Sequence, residues 1–229
     1  MDRLSAIVSL VENAEVLADI GTDHGYVCEM ALKEGRAKKV IASDINKMPL
    51  ESAVKNLTDC GFKDKCEFRL GSGLEVLKQD EVDVAVIAGM GGELISDILD
   101  KNKQLTRNID KLILQPMQNI DKLRLYLYEN DYRIDKEIIV KEGHRFYFIM
   151  LVKYGVKVLS DDIFRETSEY LFDKKDELFK QHLEKRIGEL EKVLNNLGKS
   201  DSIESKSRRN IFENKLNKYK ELVLEYEFK

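Results

Sequence analysis

Apolar and polar positions change period along the chain, and each change marks an element. Leu4, Ile7, Val8 and Val11 recur at the three-and-four spacing of one helix face. The run from Glu15 to Ile20 is short, apolar and closed by Gly21, which reads as a buried strand entering a turn. The alternation then repeats. A short helix closes over Met30 to Glu34, a strand covers Lys39 to Asp44, and Pro49 and Leu50 open a helix running through Leu57. Further strands are predicted over 66–70, 82–88 and 111–114, with helices over 93–99 and 120–129. Two extended segments, 133–140 and 145–152, complete the pattern as an antiparallel pair. Strands that read as continuous Val/Ile/Leu/Ala runs between helices need cover on both faces, so the expectation is an α/β fold with a doubly wound, mainly parallel sheet of seven strands.

Beyond Gly155 the period stays helical and the residues turn to Glu, Lys and Leu. Leu183, Ile187, Leu190, Leu194 and Leu197 form one stripe, and Phe212, Leu216, Tyr219, Val223 and Tyr226 form another. Gly198 supplies a helix stop, and Asp201 with Glu204 a capping box for the next helix. Residues 156–229 are therefore expected to form an α-helical coiled-coil hairpin, preceded by a helix around Ile163 to Phe179, and residues 1–155 the α/β domain.

Composition narrows this picture. No apolar run approaches the roughly 20 residues that span a bilayer, and the chain opens on an amphipathic pattern, so no membrane partner and a cytoplasmic location are expected. Cys28, Cys60 and Cys66 have neither disulfide nor metal-ligand spacing, and no metal is expected. Acidic and basic residues balance from Val156 onward, so the net charge of −4 belongs to the first domain.

The candidate chemistry begins at the end of the first strand, in Asp19-Ile20-Gly21-Thr22-Asp23-His24-Gly25-Tyr26. Open α/β sheets bind ligands there. A dinucleotide site would use three glycines in G-x-G-x-x-G to seat a pyrophosphate, whereas this loop has Gly21 and Gly25 with Asp19 and Asp23 among them. Two carboxylates repel a pyrophosphate and suit a ligand with a sulfonium and an amino group, as in S-adenosyl-L-methionine. Asp44, at the end of the second strand, stands where a carboxylate accepts both ribose hydroxyls, a helix-capping role being its alternative. Gly71-Ser72-Gly73 permits close approach to an adenine. Ala88-Gly89-Met90-Gly91-Gly92 ends the fourth strand, where a methyl donor would meet its acceptor.

These blocks, with Asp44 to Leu50 and Leu112-Ile113-Leu114-Gln115-Pro116-Met117, resemble the bacterial tRNA (adenine-22-N1)-methyltransferases, the TrmK family, in order and spacing. The resemblance extends over the whole chain and implies a Rossmann-like class I methyltransferase that methylates N1 of an adenine in the D-arm region of tRNA. The cofactor contacts then expected are Asp19, Gly21, Thr22, His24, Gly25, Asp44, Ile45, Gly71, Ser72, Gly73, Ala88, Gly89, Met90, Gly91 and Gly92. The chain departs from the family pattern at Cys28 (proline), Met48 (glycine), Ser72 (acidic) and Phe148 (acidic).

Adenine N1 already carries a lone pair, so the enzyme has mainly to align it, and Asp23 is the expected group to stabilise developing charge or take a proton. Gln115 and Pro116 are expected beside the target base, with Tyr26 and His24 as stacking surfaces. Lys33, Arg36, Lys38 and Lys39, together with Lys206, Arg208 and Arg209 at the hairpin bend, are the expected phosphate contacts. The hairpin stripes offer a second use as a homodimer interface. Two other functions fit the same residues: a methyltransferase of this fold on another substrate, or a non-catalytic nucleotide- or RNA-binding protein.

Overall fold

The first apolar run becomes β1 (Ala14–Ile20), and the runs after it become β2 (Ala37–Asp44), β3 (Cys66–Leu70), β4 (Val84–Gly91) and β5 (Lys111–Gln118), all parallel. β6 (Tyr132–Glu142) and β7 (Arg145–Tyr154) form the antiparallel pair. The seven strands lie in the order β3-β2-β1-β4-β5-β7-β6, and β7 also runs antiparallel to β5. The computed structural model describes residues 1–197 and 203–228, the side chains of 197, 203–206, 227 and 228 excepted. Gly198, Asp201 and the side chains of Leu197, Glu204 and Lys206, which carry the expected helix stop, capping box and part of the basic bend, lie outside the described residues.

Two groups of helices cover the sheet. α1 (Arg3–Ser9), α2 (Tyr26–Lys33) and α3 (Lys47–Asp59) pack in one group, and α4 (Gly92–Lys101), α5 (Lys103–Asn108) and α6 (Ile120–Glu129) in the other. The chain winds from β1 out to β3, then returns to β4 on the other side of β1. Right-handed crossovers therefore send the two groups to opposite faces. Leu17, Ala18, Val84, Val86, Leu112 and Ile113 are fully buried at the sheet centre because both faces are covered. The reversal also leaves a crevice at the carboxyl ends of β1 and β4.

β5 runs to Gln118 beyond the expected 111–114, α5 has no counterpart in the sequence expectation, and two further elements differ from it. β4 does not stop at Ala88. Met90 and Gly91 pair with Pro116 and Gln118 of β5 through a register shift that leaves Gly89 as a bulge. The helix expected over 163–179 is three pieces: a 3-10 turn at Asp162–Arg165, α7 (Glu169–Asp173) and the start of α8 (Glu177–Leu197). Lys175 takes a left-handed φ of 52°, and the Asp176 carboxylate accepts from the amides of Leu178 and Phe179, which starts a new helix.

Compact units run from Met1 to Tyr170 and from Leu171 to Lys229. Composition changes at 155, but Ser168 is buried and its hydroxyl donates to Glu137 of β6, so 156–170 packs with the α/β unit. In the second unit α8 and α9 (Ile203–Phe228) pack together. The Glu191–Lys220 ion pair at 2.7 Å and the Phe179–Tyr226 ring contact at 6.5 Å make them antiparallel.

Candidate active site

A cavity of about 750 Å³ opens where β1, β2 and β4 end. Its floor is the loop after β1. The amides of Gly21 and Thr22 both donate to the carbonyl of Ser43 on β2, at 2.9 and 2.8 Å, which ties the loop to its neighbour strand. Gly21 has a left-handed φ of +77°, and a Cβ built on it would come within 2.2 Å of the Met90 Cε methyl. The positive φ favours glycine here, and the first and fourth strand ends meet at this contact with the flexible Met90 side chain.

Charge inside the cavity is one-sided. Asp19, Asp23, Asp44, Glu75 and Asp97 line it, against Arg3 and Lys101. Asp19 is buried, and desolvation raises its pKa from the ordinary 3.8 to about 6, with the nearby carboxylates of Asp44 and Asp23 adding to the shift. The Thr22 hydroxyl acts in the opposite direction without meeting full hydrogen-bond geometry, and it is itself a buried polar atom with no partner. Asp44 turns one carboxylate oxygen to the amide of Asn46 at 2.6 Å, an Asx turn leading into α3, while still lining the cavity.

The Asp19 shift has a measurable consequence. The stability associated with its protonated form is full below about pH 4 and is lost as pH rises through about 6. Without ligand, Asp19→Asn should therefore be more stable than the parent above pH 6, by on the order of 3 kcal/mol for a carboxyl raised from 3.8 to about 6. Denaturation midpoints measured against pH should converge near pH 4; a constant gap would sink the assignment.

Beside the floor, His24 holds a left-handed φ of 57°, and the Asn56 side chain donates to its carbonyl at 3.1 Å and to Glu29 at 2.6 Å. The His24 ring lies 5.5 Å from that of Tyr26, and His24 Nε2 is 3.3 Å from Asp23. Tyr26 lines the cavity and is 45% exposed.

The structure brings together Asp19, Gly21, Asp23, Tyr26, Asp44, Ile45, Gly71, Ser72, Gly73, Ala88, Gly89 and Met90 around one cavity. Thr22, His24 and Gly25 support its floor from behind or beside, and Gly91 and Gly92 lead from β4 into α4. Gln115 and Pro116 stand elsewhere than expected. Gln115 is fully buried: its Oε1 accepts from the Gly89 amide at 3.2 Å, and its Nε2 donates to the Pro116 carbonyl at 2.9 Å. Its polar atoms face the protein and not a base. Lys33, Arg36, Lys38 and Lys39 also need correction. They sit at the end of α2 and the start of β2, about 20 Å along the strand from Asp44 and at the opposite edge of the sheet. Arg36 donates to the carbonyls of Ser9 and Val11, Lys33 pairs with Glu29, and Lys38 pairs with Glu15. Arg208 and Arg209 are exposed on α9, the latter 2.8 Å from Glu213.

Sequence reasoning missed one wall. Leu94, Asp97, Ile98 and Lys101 all line the cavity from α4. Their three-and-four spacing is one helix face, a signal present in the sequence but ordinarily assigned to the core. Arg3 and Met117 also line it, with Arg3 Nη1 3.0 Å from the Met117 sulfur. No local pattern announces that contact across 114 positions.

Comparison with known proteins identifies what the chain is similar to. The family model described as "Methyltransferase domain" matches residues 1–150. The tRNA (adenine(22)-N(1))-methyltransferase of Bacillus subtilis (strain 168) is 35% identical over 153 residues, covering 67% of this chain and 64% of that protein, so the match spans just under two thirds of the relative. The crystal structure of a putative tRNA (m1A22) methyltransferase from Streptococcus pneumoniae superposes with a TM-score of 0.88 at 32% identity, over 97% of this chain and 99% of that one. The same protein in complex with S-adenosyl-L-methionine gives a TM-score of 0.85 at 32% identity, over 96% and 98%.

Proposed function

Because the chain belongs to the methyltransferase-domain family, and within it to the tRNA (adenine-22-N1)-methyltransferases, we propose that it transfers a methyl group from S-adenosyl-L-methionine to N1 of adenine 22 in tRNA. The observation that carries this reading is the acidic, glycine-floored cavity at the β1/β4 switch point. Its residues fit the cofactor. The buried Asp19 carboxylate lines the cavity and offers an acceptor to an amino group, with Thr22 behind it. Gly21 keeps the floor low, Asp44 stands ready for ribose hydroxyls, and Arg3 gives a carboxylate its cation.

The cofactor supplies an electrophilic methyl on a cationic sulfur. The protein has then to hold adenine N1 in line with that methyl and keep water out, which proximity alone makes effective. Tyr26, exposed at the rim and backed by His24, offers a face for the base, and Leu94 and Met117 make the mouth apolar. Methylation leaves the ring cationic, and Asp23 is the carboxylate that answers this charge or takes a proton from the exocyclic amine. Asp23→Ala is expected to lower kcat by about 10²-fold with cofactor affinity nearly unchanged; parallel losses in a titration and a rate assay would make Asp23 a loop-shaping residue instead. N1 is hidden in a base pair, so the target must be unpaired or flipped, and a cytoplasmic location is consistent with a tRNA substrate.

The two-unit arrangement, with the helical hairpin as an RNA-holding arm through Arg208 and Arg209, belongs to the same reading. So does its alternative use in a homodimer, for which Val193, Ile211 and Leu224 supply exposed apolar surface. Incubation with labelled cofactor and unmodified tRNA, followed by mapping of reverse-transcription stops, tests the activity directly. A stop at one D-arm adenosine is expected; label in protein or small molecules and none in RNA would overturn the proposal.

A further inference from the structure

An acidic cavity attracts a cationic cofactor but repels the phosphates of a polynucleotide, so RNA needs a cationic grip near the mouth. The cations nearest to β2's start lie on the wrong edge for this. Sheet register shows where the right edge is. Continuing the β5–β7 pairing from Leu114–Met150 sets Met117, a cavity wall residue, beside Tyr147. β6 and β7 run past that level to the Glu142–Arg145 pair and turn through Gly143, whose φ is +59°, and His144. Two residues of strand carry the turn about 7 Å beyond Met117. The hairpin tip therefore stands at the same sheet edge as the cavity mouth.

Arg3 joins the two. It lines the cavity, its amide donates to Glu142 Oε1 at 3.1 Å, and its guanidinium lies 5.2 Å from the Tyr147 ring. Lys141, His144 and Arg145 are exposed on the tip, with Lys141 over the Phe146 ring at 5.2 Å. Among the described residues no carboxylate lies within ion-pair distance of Arg145. Lys141, Arg145 and the neighbouring Arg3 are three cations beside the one Glu142 carboxylate, which accepts from the Arg3 amide, so the tip and its neighbour carry more positive than negative charge beside a negative cavity.

We propose that the β6–β7 hairpin tip, through Lys141 and Arg145, grips RNA phosphates next to the nucleotide that enters the cavity. This rests on the tRNA substrate proposed above. The tip's position selects for a polynucleotide over a free nucleoside, which has no flanking phosphate to reach it, and it anchors the strand on the acceptor side of the cavity.

The test is binding of unmodified tRNA transcript by the full chain across a salt series, with cofactor affinity measured by calorimetry as the control for folding. In K141Q/R145Q the affinity should fall about tenfold at 0.1 M salt and the slope of log K against log salt should flatten by about 1.5, the loss of two phosphate contacts. Arg145→Lys, which keeps the charge, should keep the slope. K38Q/K39Q, the same charge change on the opposite sheet edge, should leave both quantities at parental values. Parental tRNA binding with an unchanged slope in K141Q/R145Q overturns the tip assignment, as does an equal loss in K38Q/K39Q. If the parent protein itself neither binds nor methylates tRNA, the proposed function fails and the tip assignment with it.

Discussion

Glu137→Ala should lower the stability of the α/β unit by about 3–5 kcal/mol, because it leaves the guanidinium of Arg124 buried without its countercharge. Both side chains are 1% exposed. Arg124 Nη1 donates to Glu137 Oε2 at 3.0 Å, Nη2 donates to Oε1, and the Ser168 hydroxyl donates to the same carboxylate. For a unit of this size the expected drop in melting temperature is about 10 °C. The companion variant decides what the pair contributes. Arg124→Leu with Glu137→Leu removes both charges together, and buried pairs replaced by apolar residues are commonly near neutral in stability. A double variant as unstable as Glu137→Ala would mean that shape, not charge compensation, sets the loss. Hydrogen exchange should show amides of 160–170 losing protection in the single variant, since Ser168 ties that segment to β6.

The same pair shows where family pattern and structure part company. After Tyr147 the TrmK pattern has an acidic residue and this chain has Phe148, a departure visible in the sequence but without a physical meaning there. In the fold the Phe148 ring lies 5.7 Å from the Arg124 guanidinium, and the carboxylate facing that guanidinium comes from the neighbouring strand. Period-two burial on β6 is interrupted by a register shift between Ile134 and Lys136, so a strand pattern alone would not send Glu137 inward.

Elements with strong periodicity were legible: the five parallel strands, the antiparallel pair and the two long helices all follow from apolar spacing. What was not legible depends on local polar capping or on contacts between distant residues. Three pieces replace the helix expected at 163–179 because Asp176 caps a new start, a local event that apolar spacing does not register. For the cavity, the acidic glycine loop and Asp44 could be found because strand ends converge in this topology. The basic residues 33–39 misled for the same reason: charge clusters are visible in sequence, whereas the edge of the sheet they occupy is a property of strand direction. Arg3 and the α4 face carried no separate signal from the core-facing residues around them.

Gln115→Leu should keep the fold and cut kcat by about 10²-fold, the scale of a 1 Å misplacement at a reacting centre. The bulge at Gly89 takes that residue out of the β4–β5 ladder, so its amide has no strand carbonyl to meet, and the Gln115 side-chain oxygen serves in place of one. Gly89 holds a φ of +79°, and the next residue, Met90, presses its methyl toward the Gly21 floor. Loss of the amide acceptor should let the bulge relax and move Met90 off that floor, with a smaller loss of cofactor affinity than of turnover. Gln115→Glu separates positioning from mere packing. When protonated, the glutamic acid keeps an acceptor for Gly89 and a donor for the Pro116 carbonyl; when ionised, it turns a second acceptor on that carbonyl in a buried site. Its activity relative to the parent should therefore recover as pH falls through the raised pKa of a buried carboxyl. A pH-independent deficit in Gln115→Glu would assign Gln115 to packing alone and detach it from the methyl-transfer geometry.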